Sequence, residues 1–167
     1  MSLKEQTPAP RSTAALTKPH IDHFGVQTDD LENCLSWYLE FFGAEKMWEL
    51  DKFSELTHSR LPGIGRLVEV AVGEVRFHLF DRSGHDHQVP PEKSFQFQHV
   101  CLRVDTPKDL EAVRDRWTEL YESGRFTFAR QVPPTDIVVD DEGVLSLYLV
   151  DVNGLEYEFT HVPEGRR

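Results

Sequence analysis

The sequence has few cysteines and no long hydrophobic run. Cys34 and Cys101 are its two cysteines in 167 residues, too few for a disulfide framework, and we expect both to be buried, unreactive thiols. No apolar stretch approaches the ~18 residues that a membrane-spanning helix requires. The first residues also lack the apolar segment of a signal peptide. These absences predict a cytoplasmic protein that does not span a membrane.

Basic residues are also scarce. The chain has 18 lysines and arginines against 29 aspartates and glutamates, a formal net charge of −11. Nucleic acids and anionic membranes require a basic surface on their protein partner, so the composition excludes both. Hydrophobic residues make up 39% of the chain and aromatic residues 11%, which predicts a single folded domain with its own core.

The chain contains an internal repeat that predicts its fold. The segment His23-x-x-Val26-x-x-Asp29 matches the segment His99-x-x-Leu102-x-x-Asp105. Each histidine opens an alternating strand, and a helical pattern and three further strand patterns follow it. The sequence therefore predicts an α+β fold of two βαβββ modules. Their sheets would pair into one concave sheet with the helices outside.

The division of the chain follows from this repeat and from proline and polar residues between the periodic segments. A single domain is predicted at residues 20–161. The predicted segments, in chain order, are a flexible N-terminal arm (1–19), a first module (20–82), a connector (83–95), a second module (96–161) and a C-terminal tail (162–167).

Local patterns locate the elements within each module. Apolar residues at helical spacing run from Leu31 to Phe42 and from Leu110 to Leu120, and a glycine follows each run. Leu67–Val72 and Val75–Phe80 are predicted to form a hairpin. In the second module, Phe97–Val104 and Phe126–Val132 are predicted as strands. Two further strands would follow before the tail.

Strand alternation places polar side chains on the sheet face opposite the helices, which we call the open face. In the second module this face would carry His99, Cys101, Ser146, Tyr148 and Glu158, because side chains change faces at every residue of a strand. The leucines and valines between them would face the helices. Residues able to bind a ligand are thus predicted to gather on one face.

Two histidines and one carboxylate form the predicted metal centre. His23 and His99 open the two modules, and Glu158 lies on the last strand. This is the ligand set of non-haem Fe(II) sites that keep open coordination positions. The sequence therefore predicts that His23, His99 and Glu158 bind one metal ion on the open face.

The repeat, with a histidine opening each half, resembles the vicinal oxygen chelate superfamily. That superfamily includes glyoxalase I, methylmalonyl-CoA epimerase, fosfomycin-resistance proteins and type I extradiol dioxygenases. The resemblance covers residues 20–161 and implies metal ligands at His23, His99 and Glu158. Glyoxalases and epimerases place a fourth ligand on the last strand of the first module, where this chain has His78. His78 is therefore a candidate fourth ligand or a residue of the substrate pocket.

A second motif resembles the signature of the extradiol dioxygenases. It reads Leu147-Tyr148-x-x-Asp151-Val152-x-Gly154-x-x-x-Glu158. Val152 stands where proline is usual in that family, and Asp140 or Asp141 stands in place of an upstream histidine. The resemblance implies that Tyr148 contacts the substrate. The small single-domain members, such as the L-DOPA 2,3-dioxygenases of bacterial antibiotic biosynthesis, are most similar in length.

The resemblance also implies an acid/base histidine in the connector. His85 lies 14 residues before His99 and matches that position, while His87 competes with it for the role. An imidazole titrates near pH 6.5, which suits proton transfer at neutral pH. We therefore predict His85 and Tyr148 as catalytic residues.

The implied cofactor is Fe(II), with Mn(II), Zn(II), Ni(II) or Co(II) as alternatives. The implied substrates are O2 and a catechol, with L-DOPA as a candidate, and a homodimer is expected because single-domain relatives usually pair. His78, Arg76 and Asp140 are the predicted substrate-binding residues. Two other functions stay open: a metal-dependent lyase or isomerase of the glyoxalase or epimerase type, and a metal-free protein that binds a small molecule such as a drug.

Overall fold

The computed structural model describes residues 20–85 and 97–165, so the predicted N-terminal arm and most of the predicted connector lie outside the described residues. The elements, in chain order, are β1 (Phe24–Thr28), α1 (Leu31–Phe41), β2 (Glu45–Leu50), α2 (Glu55–Arg60), β3 (Leu67–Val72), β4 (Val75–Asp81), β5 (Val100–Arg103), α3 (Pro107–Glu122), β6 (Val138–Val139), β7 (Leu145–Val150) and β8 (Glu156–His161). None of these helices is both long and apolar enough to cross a membrane.

The two halves have the same strand topology. The first sheet has the order β1-β4-β3-β2 and the second has the order β5-β8-β7-β6. The opening strand of each module runs parallel to the last one, and the other neighbouring strands are antiparallel. This confirms the predicted α+β fold of two βαβββ modules, with α2 as an addition to the first. Among the described residues the two sheets are hydrogen-bonded separately, and β1 and β5 are their edge strands.

Short-range signals in the sequence set the helix ends. Asp30 caps α1 by accepting a hydrogen bond from the Asn33 amide at 3.1 Å. Gly43 follows that helix with φ of 62°, a conformation that favours glycine. The Thr106 amide donates to the Asp109 carboxylate at 2.7 Å at the start of α3. Both predicted helices are confirmed for these local reasons.

The two modules share one hydrophobic core. Phe42 lies at the end of α1, and its ring centroid is 5.7 Å from that of Phe77 in the first sheet and 6.3 Å from that of Phe159 in the second. The Trp117 indole of α3 donates to the Val150 carbonyl at 2.7 Å. Burial of one such ring contributes about 1.5–3 kcal/mol. This shared packing fixes the two edge strands relative to each other.

The prediction of a strand at Phe126–Val132 is wrong. This stretch has no strand, and the strand that precedes β7 is the short pair Val138–Val139. The Phe128 ring packs instead against Trp37 and Trp117, with centroids 6.5 Å and 5.2 Å away. The alternation of apolar residues in this stretch therefore reflects aromatic side chains that pack into the core, and not a strand.

The predicted alternation is otherwise confirmed at β7. Leu147 and Leu149 are buried, whereas Ser146 and Tyr148 are half-buried on the open face. The opening strand of the second module is shorter than predicted, because it begins at Val100. The three residues before it lie outside the strand.

Candidate metal centre

In each module, the register between the first and the last strand places one side chain of the last strand beside the first strand. Gly25 of β1 pairs with His78 of β4, and Cys101 of β5 pairs with Glu158 of β8. Gly25 and Cys101 each lie two residues after the opening histidine of their module. His78 and Glu158 therefore occupy equivalent positions in the repeat.

In the second module, His99 and Glu158 lie at a separation that fits both an ion pair and two neighbouring metal ligands. The distance from His99 Nε2 to Glu158 Oε2 is 3.1 Å. Two donors bound to one ion at about 2.1 Å and at right angles are roughly 3 Å apart. The other carboxylate oxygen of Glu158 accepts hydrogen bonds from the Ser146 hydroxyl at 2.8 Å and the Tyr148 hydroxyl at 3.1 Å. These bonds hold the carboxylate in one orientation.

The surroundings keep Glu158 ionised and leave one nitrogen of His99 without a hydrogen bond among the described residues. Burial raises the pKa of Glu158, but hydrogen bonds from Ser146, Cys101 and Tyr148 and the charge of His99 outweigh it, so the pKa is lowered overall. His99 Nδ1 is buried and makes no hydrogen bond among the described residues, and Glu156 Oε1 lies 3.5 Å from it. A carboxylate that is ionised at neutral pH is the form that binds a metal.

The first module contributes a second cluster on its open face. The His23 ring stacks on the His78 ring, with centroids 3.6 Å apart and 12° between the planes. His78 Nε2 is 2.8 Å from the Glu69 carboxylate, and His23 Nδ1 is 2.7 Å from the Asp22 carboxylate. Each imidazole is thus oriented by one acidic side chain.

The two clusters approach each other at the edges of the sheets. His23 and His99 both line a cavity of about 340 Å³ that lies between the start of β1 and the start of β5. Within residues 20–85 and 97–165, no three His, Cys, Asp or Glu side chains converge closely enough to hold one ion. The predicted trio therefore has side chains of a kind that bind metals, and His23 and His99 lie at equivalent positions before β1 and β5. Only His99 and Glu158 also lie at the distance expected for two ligands of one ion.

Asp140 and Tyr148 lie in a cavity on the open face of the second module. This cavity of about 410 Å³ is also lined by Glu158 and Cys101. Asp140 Oδ1 accepts hydrogen bonds from two backbone amides of the turn that follows it, at 2.8 Å and 2.9 Å. The structure therefore brings Asp140, Tyr148 and Glu158 to one cavity, with Asp140 stabilising its rim.

Arg76 and His85 lie apart from these clusters. The Arg76 guanidinium donates to the Gly73 carbonyl at 2.7 Å, in the turn between β3 and β4. His85 lines a cavity with Thr28, which ends β1, whereas His23 precedes that strand. Five strand residues at ~3.3 Å separate the backbones of His23 and Thr28 by about 16 Å. The competing His87 lies outside the described residues.

The two cysteines differ from each other. Cys34 is buried as predicted, and burial raises the pKa of its thiol to about 12. The prediction for Cys101 is wrong, because its side chain is exposed. Cys101 lies on the open face, in register with Glu158, where no helix covers it. Its thiol contributes a hydrogen bond to the Glu158 carboxylate.

Sequence reasoning missed Glu69, the partner of His78. The hairpin of β3 and β4 pairs Val72 with Val75, so its register places Glu69 opposite His78. The two-residue turn at Gly73-Glu74 was visible in the sequence and would have identified this pair. Ser146 was predicted on the open face, but its bond to Glu158 was not.

The comparisons with known proteins agree with this architecture. Residues 20–135 match the family described as the Glyoxalase/Bleomycin resistance protein/Dioxygenase superfamily. Comparison with curated protein sequences finds no match. Solved structures of similar fold are numerous, and three of them illustrate the range.

A glyoxylase/bleomycin resistance protein/dioxygenase domain from a Frankia species has a TM-score of 0.69 and 14% identity, over 90% of this chain and 96% of that one. Lactoylglutathione lyase from Agrobacterium tumefaciens has a TM-score of 0.56 and 21% identity, over 86% and 94%. The fosfomycin resistance protein FosX from Listeria monocytogenes, solved with Mn(II) and sulfate, has a TM-score of 0.56 and 11% identity, over 89% and 96%. At these identities the likeness concerns the fold. The family match, which covers more than half of the sequence, shows that this chain belongs to the Glyoxalase/Bleomycin resistance protein/Dioxygenase superfamily.

Proposed function

We propose that the chain is a non-haem Fe(II)-dependent extradiol dioxygenase that cleaves a catechol ring with O2. The observation that carries the proposal is the His99–Glu158 pair, with 3.1 Å between His99 Nε2 and Glu158 Oε2 on the open face. His23 is the third ligand in this proposal. Fe(II) would supply open positions for both catechol oxygens and for O2, and would hold the reactants together.

Tyr148 has the properties of a hydrogen-bond donor to the substrate. Its hydroxyl donates to Glu158 at 3.1 Å in the cavity that both residues line. Burial, followed by the hydrogen bond to Glu158, raises the pKa of Tyr148 above its ordinary value of 10.0. The phenol therefore stays protonated at neutral pH, and its single O–H can donate to a substrate oxygen in place of Glu158.

His78 with Glu69 is better placed than His85 to move a proton at this centre. The Glu69 carboxylate orients the His78 imidazole at 2.8 Å, and the ring lies against His23. An imidazole oriented by a carboxylate is a common general base. We propose that His78 takes the proton of a catechol hydroxyl when the substrate binds. The role of His85, implied by the family resemblance, stays a prediction.

Alanine variants of these two histidines separate their roles. His78→Ala should keep the bound metal and lower kcat by about 10²–10⁴-fold, the usual contribution of general acid–base catalysis. His85→Ala should keep both the metal and most of kcat. Metal analysis and turnover of the two purified variants are the measurement. Loss of turnover in the His85 variant alone would assign the proton transfer to His85.

A lyase or isomerase of the glyoxalase or epimerase type is the second candidate. The observation in its favour is the position of His78, which stacks on His23 and is equivalent to Glu158 in the repeat. His78 would then be a fourth ligand, and Zn(II), Ni(II), Co(II) or Mn(II) would be suitable metals. In this case His78→Ala would lose metal as well as activity. Such a reaction requires no O2.

A metal-free protein that binds a small molecule is the third candidate. The observation in its favour is that no three donor side chains converge among the described residues. Tight ligand binding without turnover and without stoichiometric metal would support it. The three candidates therefore differ in metal content and oxygen consumption.

Oxygen uptake is the decisive experiment. The protein is loaded with Fe(II) without air, then mixed with L-DOPA and simple catechols in air, while an electrode follows O2 and a spectrometer follows visible absorbance. We expect one O2 consumed per catechol and a yellow semialdehyde product. No uptake with one bound metal per chain would favour the lyase or isomerase. No bound metal would favour the binding protein.

Three further features belong to this proposal. L-DOPA, and with it a role in antibiotic biosynthesis, is a candidate substrate on the basis of the family resemblance. A homodimer and a cytoplasmic location also stay predictions.

The edge strand β2 exposes Met47, Trp48 and Leu50. Exposed apolar residues on an edge strand can pair with a second chain. Sedimentation equilibrium would show whether two chains associate in solution.

A further inference from the structure

Arg82 is a buried cation without a carboxylate partner among the described residues. The residue is 7% exposed and lies directly after β4. Its Nε donates to the Pro62 carbonyl at 3.0 Å and its Nη1 donates to the Gln27 side-chain oxygen, and both acceptors are neutral. A guanidinium has five N–H donors, so these two bonds leave most of its hydrogen-bonding capacity unused.

Among the described residues Arg82 is the only buried arginine, and the others that donate only to backbone carbonyls are more exposed. The half-exposed Arg66 pairs with Glu32 at 2.6 Å, and the exposed Arg125 pairs with Glu40 at 2.5 Å. Acidic residues outnumber basic ones by 29 to 18, so carboxylates are plentiful. Burial of a cation without a counter-charge is strongly unfavourable. The arrangement at Arg82 therefore suits an anion that none of the described residues supplies.

A cavity of about 320 Å³ lies against this guanidinium. The described residues lining it are Gln27, Thr28, Asp29, Arg82, His85, Ala129 and Asn153. Asp29 is exposed, and it forms no ion pair with Arg82 among the described residues. The cavity is large enough for a carboxylate or phosphate group and its immediate neighbours.

Gln27 lines both this cavity and a second cavity of about 510 Å³, which is also lined by His23 and has an apolar wall containing Phe53 and Phe80. A ligand that filled both cavities would have a ring or chain on the apolar wall and an anionic group at Arg82. Gln27 and His23 are four strand residues apart, about 13 Å at ~3.3 Å per residue.

We propose that Arg82 is an oxyanion-binding subsite that takes a carboxylate or phosphate group of the substrate. This inference rests on the proposed function, because it names the class of molecule that the same open face accepts. The substrate is an apolar or aromatic molecule with an anionic group remote from its metal-binding end. The span of the two cavities favours a side chain longer than the short one of L-DOPA.

The test uses metal-free protein and two small anions, acetate and inorganic phosphate, each titrated at constant ionic strength with chloride as the balancing ion. Proton–nitrogen NMR of the arginine Nε–H groups follows Arg82 directly in the wild-type chain. We expect a saturable shift of the Arg82 resonance. Saturation by acetate indicates a carboxylate substrate, and tighter saturation by phosphate indicates a phosphorylated one.

Two variants complete the test by calorimetry. Arg82→Gln keeps an amide that can donate to the Pro62 carbonyl but removes the charge, and it should weaken anion binding at least tenfold. Arg114→Gln removes the same charge from the outer surface of α3, away from every cavity described here, and should bind like the wild type. If Arg82→Gln does not fold, the wild-type resonance titration decides the matter alone.

Two results would overturn the subsite: no saturable shift of the Arg82 resonance, or anion binding that is equally strong in Arg82→Gln. Neither measurement involves metal, catechol or O2. Failure of oxygen uptake would therefore leave a positive anion result intact. Conversely, an enzyme that consumes O2 but binds no anion at Arg82 would lose this subsite and keep its proposed reaction.

Discussion

Replacement of His99 or Glu158 by alanine is expected to remove the bound metal. The two side chains lie 3.1 Å apart, and each would supply one of three protein ligands. Loss of a residue that merely supports a ligand costs about 10–100-fold in metal affinity, so loss of a ligand itself should cost at least 100-fold. Metal content after equilibration with limiting Fe(II), followed by desalting, is the measurement. The same loss is expected for His23→Ala.

The matched control is His58→Ala, the same change on the exposed side of α2. It should keep the wild-type metal content. Glu158→Gln keeps the shape of the side chain and an oxygen that accepts from Tyr148, so it should stay folded while it binds metal more weakly. A His99 variant with a full equivalent of metal would contradict the proposed centre. Metal retained in His23→Ala alone would remove His23 from the ligand set.

The positions that the sequence predicted well are those fixed by short-range rules. Side chains of a strand alternate between two faces, so the open-face positions of Tyr148 and Glu158 followed from their spacing to the buried leucines and aromatics. The repeat then assigned His23 and His99 to equivalent strand openings. These rules require only that neighbouring strands pair in the expected order, and the structure has that order.

The features that sequence reasoning missed depend on distant contacts. The stretch Phe126–Val132 alternates like a strand, but its Phe128 packs between Trp37 and Trp117 of different helices. The buried Arg82 donates a hydrogen bond to Pro62, 20 residues earlier, and no periodic pattern encodes this contact. The position of His85 depends in the same way on the path of the chain after β4.

A buried network centred on Asp151 is expected to dominate stability. Asp151 is fully buried at the turn between β7 and β8. One carboxylate oxygen accepts from the amides of Asn153 and Leu155, each at 2.9 Å. The other accepts from the Tyr38 hydroxyl at 3.0 Å, and that hydroxyl also lies 2.7 Å from the Tyr157 hydroxyl. The network therefore joins α1 of the first module to the last hairpin of the second.

Asp151→Ala should lower the free energy of unfolding by about 3–5 kcal/mol. The variant leaves buried donors of the turn and of Tyr38 without an acceptor, and each such donor costs about 1–3 kcal/mol. Urea unfolding followed by circular dichroism measures the change. Asp115→Ala, on the exposed surface of α3, is the control and should change stability by less than ~0.5 kcal/mol. An equal effect of the two substitutions would mean that the network is not coupled to folding.

The charge of Asp151 has a separate effect, which depends on pH. Burial raises the pKa of Asp151 above its ordinary value of 3.8, against the lowering effect of the hydrogen bonds from Leu155, Asn153 and Tyr38. A carboxyl whose pKa is raised by folding contributes stability that is fully present below pH 3.8 and is lost as the pH rises through the raised value.

Asp151→Asn has no such titration, because an amide does not ionise. The unfolding free energy of the wild type relative to this variant should therefore fall as the pH is raised from about 3, and should become constant above the raised pKa. Urea unfolding of both proteins at a series of pH values measures this difference. If this difference in unfolding free energy rises with pH instead, folding lowers the pKa of Asp151 and does not raise it. The hydrogen bonds to the carboxylate would then outweigh its burial, and the ionised form would be the one that the fold prefers.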